Sequence, residues 1–174
     1  MSIRAVLYLS LAILSSPLAA TETGLRETHP LHMHAFEQLL SFEGDWIDVD
    51  GTLGMKDEVA VTYRVTSNRS AVIESIFVGK PYEMVTVFHR DQDQIALTHY
   101  CSLGNQPQML SIEPNQLEFS LSGGSGFDPE HDRYMHSRRM RALSEHELEG
   151  EWQEHIQGAA TDELHKQYRL RRVR

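Results

Sequence analysis

Two adjacent runs decide the fold: Val59-Ala60-Val61-Thr62-Tyr63-Arg64-Val65-Thr66, then, after Ser67-Asn68, Ala71-Val72-Ile73-Glu74-Ser75-Ile76-Phe77. Both are rich in β-branched and aromatic residues, which suit a pleated surface, and Ser67-Asn68 marks a turn between them. Gly79-Lys80-Pro81 closes the second run, and the pattern repeats downstream. Glu83 to His89 and Gln94 to Cys101 flank the polar link Arg90-Asp91-Gln92-Asp93. Gln108 to Ile112 and Leu117 to Leu121 pair across Glu113-Pro114-Asn115-Gln116. Ser122 to Glu130 reads as a flexible, glycine-rich loop able to gate a mouth. Tyr134 to Leu143, Glu147 to Ile156 and Leu164 to Arg172 complete the series. Short strands at regular spacing, without helical patterns between them, predict a single all-β domain. An antiparallel barrel is favoured over a sandwich, because a meander of short loops can close on itself and leave no exposed edge.

Upstream, Met33, Ala35, Phe36, Leu39 and Leu40 recur at helical spacing, and Gly44 supplies a stop. This predicts a short amphipathic helix over 31–42 that plugs or caps one end of the barrel. Residues 1–20 read as a secretory signal peptide: Arg4 is the charged start, Ala5 to Leu14 the apolar run, and Ala19-Ala20 the small pair before cleavage. That run is too short to span a bilayer, so no stable membrane insertion is expected after cleavage. Residues 21–30 read as a polar, flexible leader, and 31–174 as the barrel domain. The expected location is periplasmic or secreted. Cys101 is the only cysteine, so no intramolecular disulfide can form. A formal charge of −9 disfavours nucleic acid and anionic membrane surfaces as partners. The oligomeric state is left open.

Gly44-Asp45-Trp46 ahead of the strands, with Tyr168-Arg169-Leu170-Arg171-Arg172 at their end, resembles the closed end of the calycin barrels, the lipocalins and fatty-acid-binding proteins. The resemblance implies a sealing tryptophan with a last-strand arginine over its ring, a contact worth roughly 0.5–2 kcal/mol. Arg169 or Arg171 are the candidates, since alternate strand positions share a face. The segment Leu97-Thr98-His99-Tyr100-Cys101-Ser102-Leu103-Gly104-Asn105-Gln106-Pro107 resembles the signature of a bacterial exported family with a lipocalin-like fold. Val72-Ile73-Glu74 and Glu83 to His89 extend that likeness, which covers Phe36 to Arg172. It implies the same lipocalin-like barrel and carries no activity or cofactor with it.

His99 and Cys101 share one face of their strand and lead into a turn carrying the amides of Asn105 and Gln106. Histidine there suits a metal, a haem, a proton or a hydrogen-bonded ligand, or is a core residue satisfied by a neighbouring strand. Cys101 is a nucleophile only with a cationic partner, and otherwise a small apolar filler. Glu74 lies between Val72 and Ile76. Facing inward, it is a ligand anchor or general base; one residue of slip makes it a surface charge. Tyr134-Met135-His136-Ser137-Arg138 places His136 and Arg138 on one face. His136 then joins Glu74 and His99 as a conceivable metal set. His29, His32 and His34, with Met33, are a second candidate for copper or zinc, or surface histidines at a helix entrance. No phosphate cradle, nucleophile elbow or zinc-protease motif appears.

These readings converge on an exported protein that binds a small, mostly apolar ligand. Tyr63, Glu74, Thr86, His99, Asn105, Gln106 and His136 are its polar anchors. The alternatives are a filled-core structural or interaction module, an enzyme using Glu74 or His99 as acid or base, and a haem or metal carrier through His99 or His136.

Overall fold

The computed structural model describes residues 30–113, 116–156 and 159–173. The segment read as a signal peptide, the polar leader, His29 and the side chain of His32 lie outside the described residues. A helix, α1 (Pro30–Leu40), precedes ten strands: β1 (Gly44–Asp48), β2 (Val59–Thr66), β3 (Ala71–Ile76), β4 (Met84–Asp91), β5 (Gln94–Tyr100), β6 (Gln106–Ser111), β7 (Leu117–Ser125), β8 (Tyr134–Ala142), β9 (Glu147–Ile156) and β10 (Ala159–Arg172). Each strand pairs antiparallel with its chain neighbour, and β1 pairs with both β2 and β10. The sheet is therefore a closed meander with no free edge. Among the described residues, no helix is long and apolar enough to cross a membrane.

Alternation along the strands fills the interior. On β3, Val72, Glu74 and Ile76 point inward; on β5, Ile95, Leu97 and His99 do so. Helix α1 closes one end by burying Ala35, Phe36, Leu39 and Leu40. Its outer face is tied to the strand ends there, with Glu37 bridging Arg69 and Arg90. Arg90 also lies 4.4 Å over the Phe36 ring. Below the helix, Phe42, Trp46 and Tyr63 pack edge-on or tilted against one another. The Trp46 indole N–H donates to Phe42 O at 2.8 Å.

Arg172 covers Trp46, at 4.4 Å from its ring, which corrects the choice of Arg169 or Arg171. Tyr168 and Leu170 are the inward residues of β10, so Arg172 shares their face and the intervening arginines point out. Its guanidinium also donates to Ser41 O, at 2.6 Å, and to Glu43 O, so one side chain ties the last strand to the end of the helix.

The glycine-rich stretch is also different from its expectation as a loop. β7 runs on to Ser125, pairing Gly123 with Gln108 and Gly124 with Pro107 past a bulge. Gly124 has φ +144°, and a side chain there would meet Gln106 O at 2.6 Å and the Phe127 ring at 2.8 Å. Both glycines are strand residues rather than part of a gate, and Gly124 lets β6 and the Phe127 ring pack closely.

Candidate functional site

Four inward side chains form a row across neighbouring strands. Tyr63 on β2 pairs with Glu74 on β3, Glu74 with Thr86 on β4, and Thr86 with His99 on β5. All four are buried. The opposite wall supplies Arg138 from β8 and Tyr168 from β10. Arg138 grips Glu74 with both terminal nitrogens, Nη1 to Oε2 at 2.9 Å and Nη2 to Oε1 at 2.6 Å. Glu74 is 0% and Arg138 1% exposed, so the ion pair spans the lumen out of contact with solvent. Tyr63 donates to Glu74 Oε1 at 2.7 Å, and Tyr168 Oη accepts from Arg138 Nη2 at 2.8 Å. Such a fork–fork pair holds only where further hydrogen bonds satisfy its atoms. The two tyrosines provide one for Glu74 Oε1 and one for Arg138 Nη2, while Arg138 Nε has no partner among the described residues.

Burial works against the charge on Arg138, but Glu74 outweighs it and holds the guanidinium charged beyond the ordinary arginine range. Burial, then the nearby Glu74 charge, pushes the Tyr63 hydroxyl well above its ordinary value. The Tyr168 hydroxyl is raised as well, by burial. Both phenols therefore stay protonated.

Gly150 makes the Tyr168 position possible. It is the cross-strand partner of Tyr168 on β9, and a methyl group there would lie 2.2 Å from the ring. The ring thus lies over the bare backbone and reaches Arg138 beyond it. Gly150→Ala is expected to cost about 1–3 kcal/mol by overpacking, measured as a lower urea midpoint.

The lumen above this polar layer is open. A cavity of about 260 Å³ lies at the end away from α1. Phe77, Met84, Met135 and Trp152 supply apolar lining, His99 lies among the lining residues, and Arg133, Glu154 and Lys166 contribute charged groups. The Glu154 carboxylate accepts from the Trp152 indole N–H at 3.2 Å and from Arg133. His99 Nδ1 lies 2.9 Å from Thr86 Oγ1, while its buried Nε2 has no protein partner. Burial, reinforced by the Arg138 charge, lowers the His99 pKa to about 4, so the ring is neutral at ordinary pH. A larger depression, about 530 Å³, lies partly against the outer wall. There the ion pairs Arg139–Glu151 and Arg141–Glu149 satisfy one another. Of these two, the smaller cavity combines apolar lining with a buried polar atom lacking a partner.

Phe77 lines that cavity with φ +60°, a conformation rarely adopted by a bulky side chain. Its N–H is fixed to Ala60 O at 2.8 Å, and its ring packs against Tyr82. Cys101 also lines the cavity, half-buried, its thiol pKa raised by burial. Phe77→Asn keeps a residue tolerant of this backbone but removes the ring. It is expected to speed alkylation of Cys101 by iodoacetamide severalfold; an unchanged rate would mean that Phe77 does not restrict access to Cys101.

The residues singled out from the sequence thus divide. Tyr63, Glu74, Thr86 and His99 come together. Asn105 and Gln106 do not line the cavity: Asn105 Nδ2 donates to Arg133 O at 2.8 Å, and Gln106 Nε2 to Gly104 O at 2.8 Å. Their amides brace the turn after β5. His136 sits at a bulge between Met135 and Ser137, with its ring 4.0 Å from that of His155. The bulge separates it from the face of Arg138, which corrects the expectation that the two residues share a face. The set Glu74, His99 and His136 is not assembled, and no group of three or more potential metal ligands occurs among the described residues. Arg138, Tyr168, Trp152 and Phe77 were absent from the sequence-derived site. The even-numbered apolar positions of β10 could have flagged Tyr168; nothing local could have joined Arg138 to Glu74. No protein-family model matches the chain, and a search of curated proteins finds no significant match.

Proposed function

We propose that this chain is an exported binding protein, periplasmic or secreted, that holds a small and mostly apolar ligand in the cavity above the Glu74–Arg138 layer. The observation that carries this reading is His99 Nε2, buried against an open space and left without a protein partner. Buried polar atoms in native proteins are almost always paired, and binding pockets are typically apolar with a few placed polar groups. The resemblance to an exported lipocalin-like family agrees with it, as does the signal-like start of the sequence. The acid–base alternative is less well supported. Arg138 binds both oxygens of Glu74, and His99 is separated from Glu74 by Thr86 in the strand row.

Native mass spectrometry of the protein recovered from the periplasm tests the proposal against the denatured mass. A bound organic mass released on denaturation is the expected result. Equal masses, together with no small molecule able to shield Cys101 from alkylation, would favour the filled-core module.

A further inference from the structure

The floor of the cavity narrows the choice of ligand, an inference that rests on the cavity being a binding site. His99 is 1% exposed, and its unpartnered Nε2 is the cavity's buried polar feature. The state of that nitrogen follows from the other side of the ring. Thr86 Oγ1 is buried with its side chain, and among the described residues His99 Nδ1 is its one hydrogen-bond partner. If Nδ1 carried the proton, the hydroxyl would accept it and leave its own proton unsatisfied in the interior. Buried donors are rarely left so. The arrangement that leaves fewer of these groups unpaired has Thr86 donating to Nδ1, which puts the ring proton on Nε2, the nitrogen without a protein partner. The cavity floor is then a neutral N–H donor.

We propose that the cavity takes a compact, mostly apolar molecule bearing one uncharged acceptor oxygen, a ketone, aldehyde, ester or amide carbonyl, seated oxygen-first on His99 Nε2–H. At His99 the Arg138 charge is already matched by Glu74, and of the cations lining the cavity Arg133 is paired with Glu154 and Lys166 is exposed, so a carboxylate seated on His99 would lack a buried countercharge. A cationic amine would set donor against donor. A hydrocarbon would leave Nε2–H unsatisfied. Size points the same way: a cavity of about 150 Å³ suffices for benzene, so about 260 Å³ accepts a substituted six-membered ring. Phe77, Met84, Met135 and Trp152 supply the apolar walls.

The test uses four probes of one shape: cyclohexanone, methylenecyclohexane, cyclohexanecarboxylate and cyclohexylamine. Occupancy is read as protection of Cys101, the only thiol, from iodoacetamide. Cyclohexanone is expected to protect at a concentration at least tenfold below that of any other probe, although methylenecyclohexane is the more hydrophobic of the isosteric pair. His99→Leu is expected to reverse the order of that pair. The probe series on the unsubstituted protein stands even if this variant fails to fold. Equal or tighter binding of methylenecyclohexane would overturn the carbonyl assignment and leave the binding reading intact, as would a preference for the carboxylate or the amine. Free alkylation of Cys101 at saturating levels of every probe would overturn both.

Discussion

Replacing Arg138 alone, as Arg138→Met, is expected to destabilise the barrel by about 3–5 kcal/mol, the usual cost of leaving one member of a buried ion pair without its partner. The site explains why the value should lie high. Glu74 would lose both guanidinium bonds and keep only the Tyr63 hydroxyl, while Tyr168 would lose the donor its oxygen now accepts. Water has no direct route to a carboxylate that is 0% exposed. Removing both charges in Glu74→Met/Arg138→Met is expected to recover most of the loss, because apolar replacement of a complete buried pair is often nearly neutral. Urea unfolding of wild type, both single variants and the double variant closes the cycle. Additive single losses would show that the two side chains do not act as a unit.

Acid is expected to weaken the fold before carboxylate protonation becomes dominant, and His99 supplies the reason. Its folded pKa is lowered to about 4 by burial and the Arg138 charge, against an ordinary histidine value of 6.5. The unfolded chain therefore binds the proton more readily than the folded one. The contribution is fully present above 6.5, declines as pH falls below it, and is spent once pH has passed through about 4. At 1.36 kcal/mol for each pKa unit, the full window is worth about 3 kcal/mol. His136, lowered by burial and by His155, acts in the same direction. Unfolding free energies measured between pH 7 and 4 should fall with this slope in wild type and fall less steeply in His99→Gln. Parallel pH curves for the two proteins would remove His99 as the source.

The barrel was legible in the sequence because its signals are local. The alternation of Val72, Glu74 and Ile76, or of Leu97 and His99, survives folding unchanged, and turn residues mark the strand ends. The helix before Gly44 was legible for the same reason. Strand extents were less so: Gly123 and Gly124 look like loop residues, yet both lie in β7, and Gly124 is needed where β6 approaches closely. Which residues faced the lumen depended on closure. Arg172, rather than Arg169 or Arg171, covers Trp46 because Tyr168 and Leu170 face inward and Arg172 continues their alternation. His136 lost its expected neighbours to a single bulge. The Glu74–Arg138 pair joins residues 64 apart across the lumen, and no local pattern encodes it. The row Tyr63–Glu74–Thr86–His99 lies between these cases, since each residue was a candidate alone but only the strand register aligns them.

The most direct measurement is a nitrogen-15 NMR spectrum of the His99 ring at pH 7, recorded with and without cyclohexanone. A neutral ring with its proton on Nε2 is expected, with an Nε2–H signal that moves on addition of the ketone. A charged ring, a proton on Nδ1, or signals unmoved at saturating ketone would contradict that expectation.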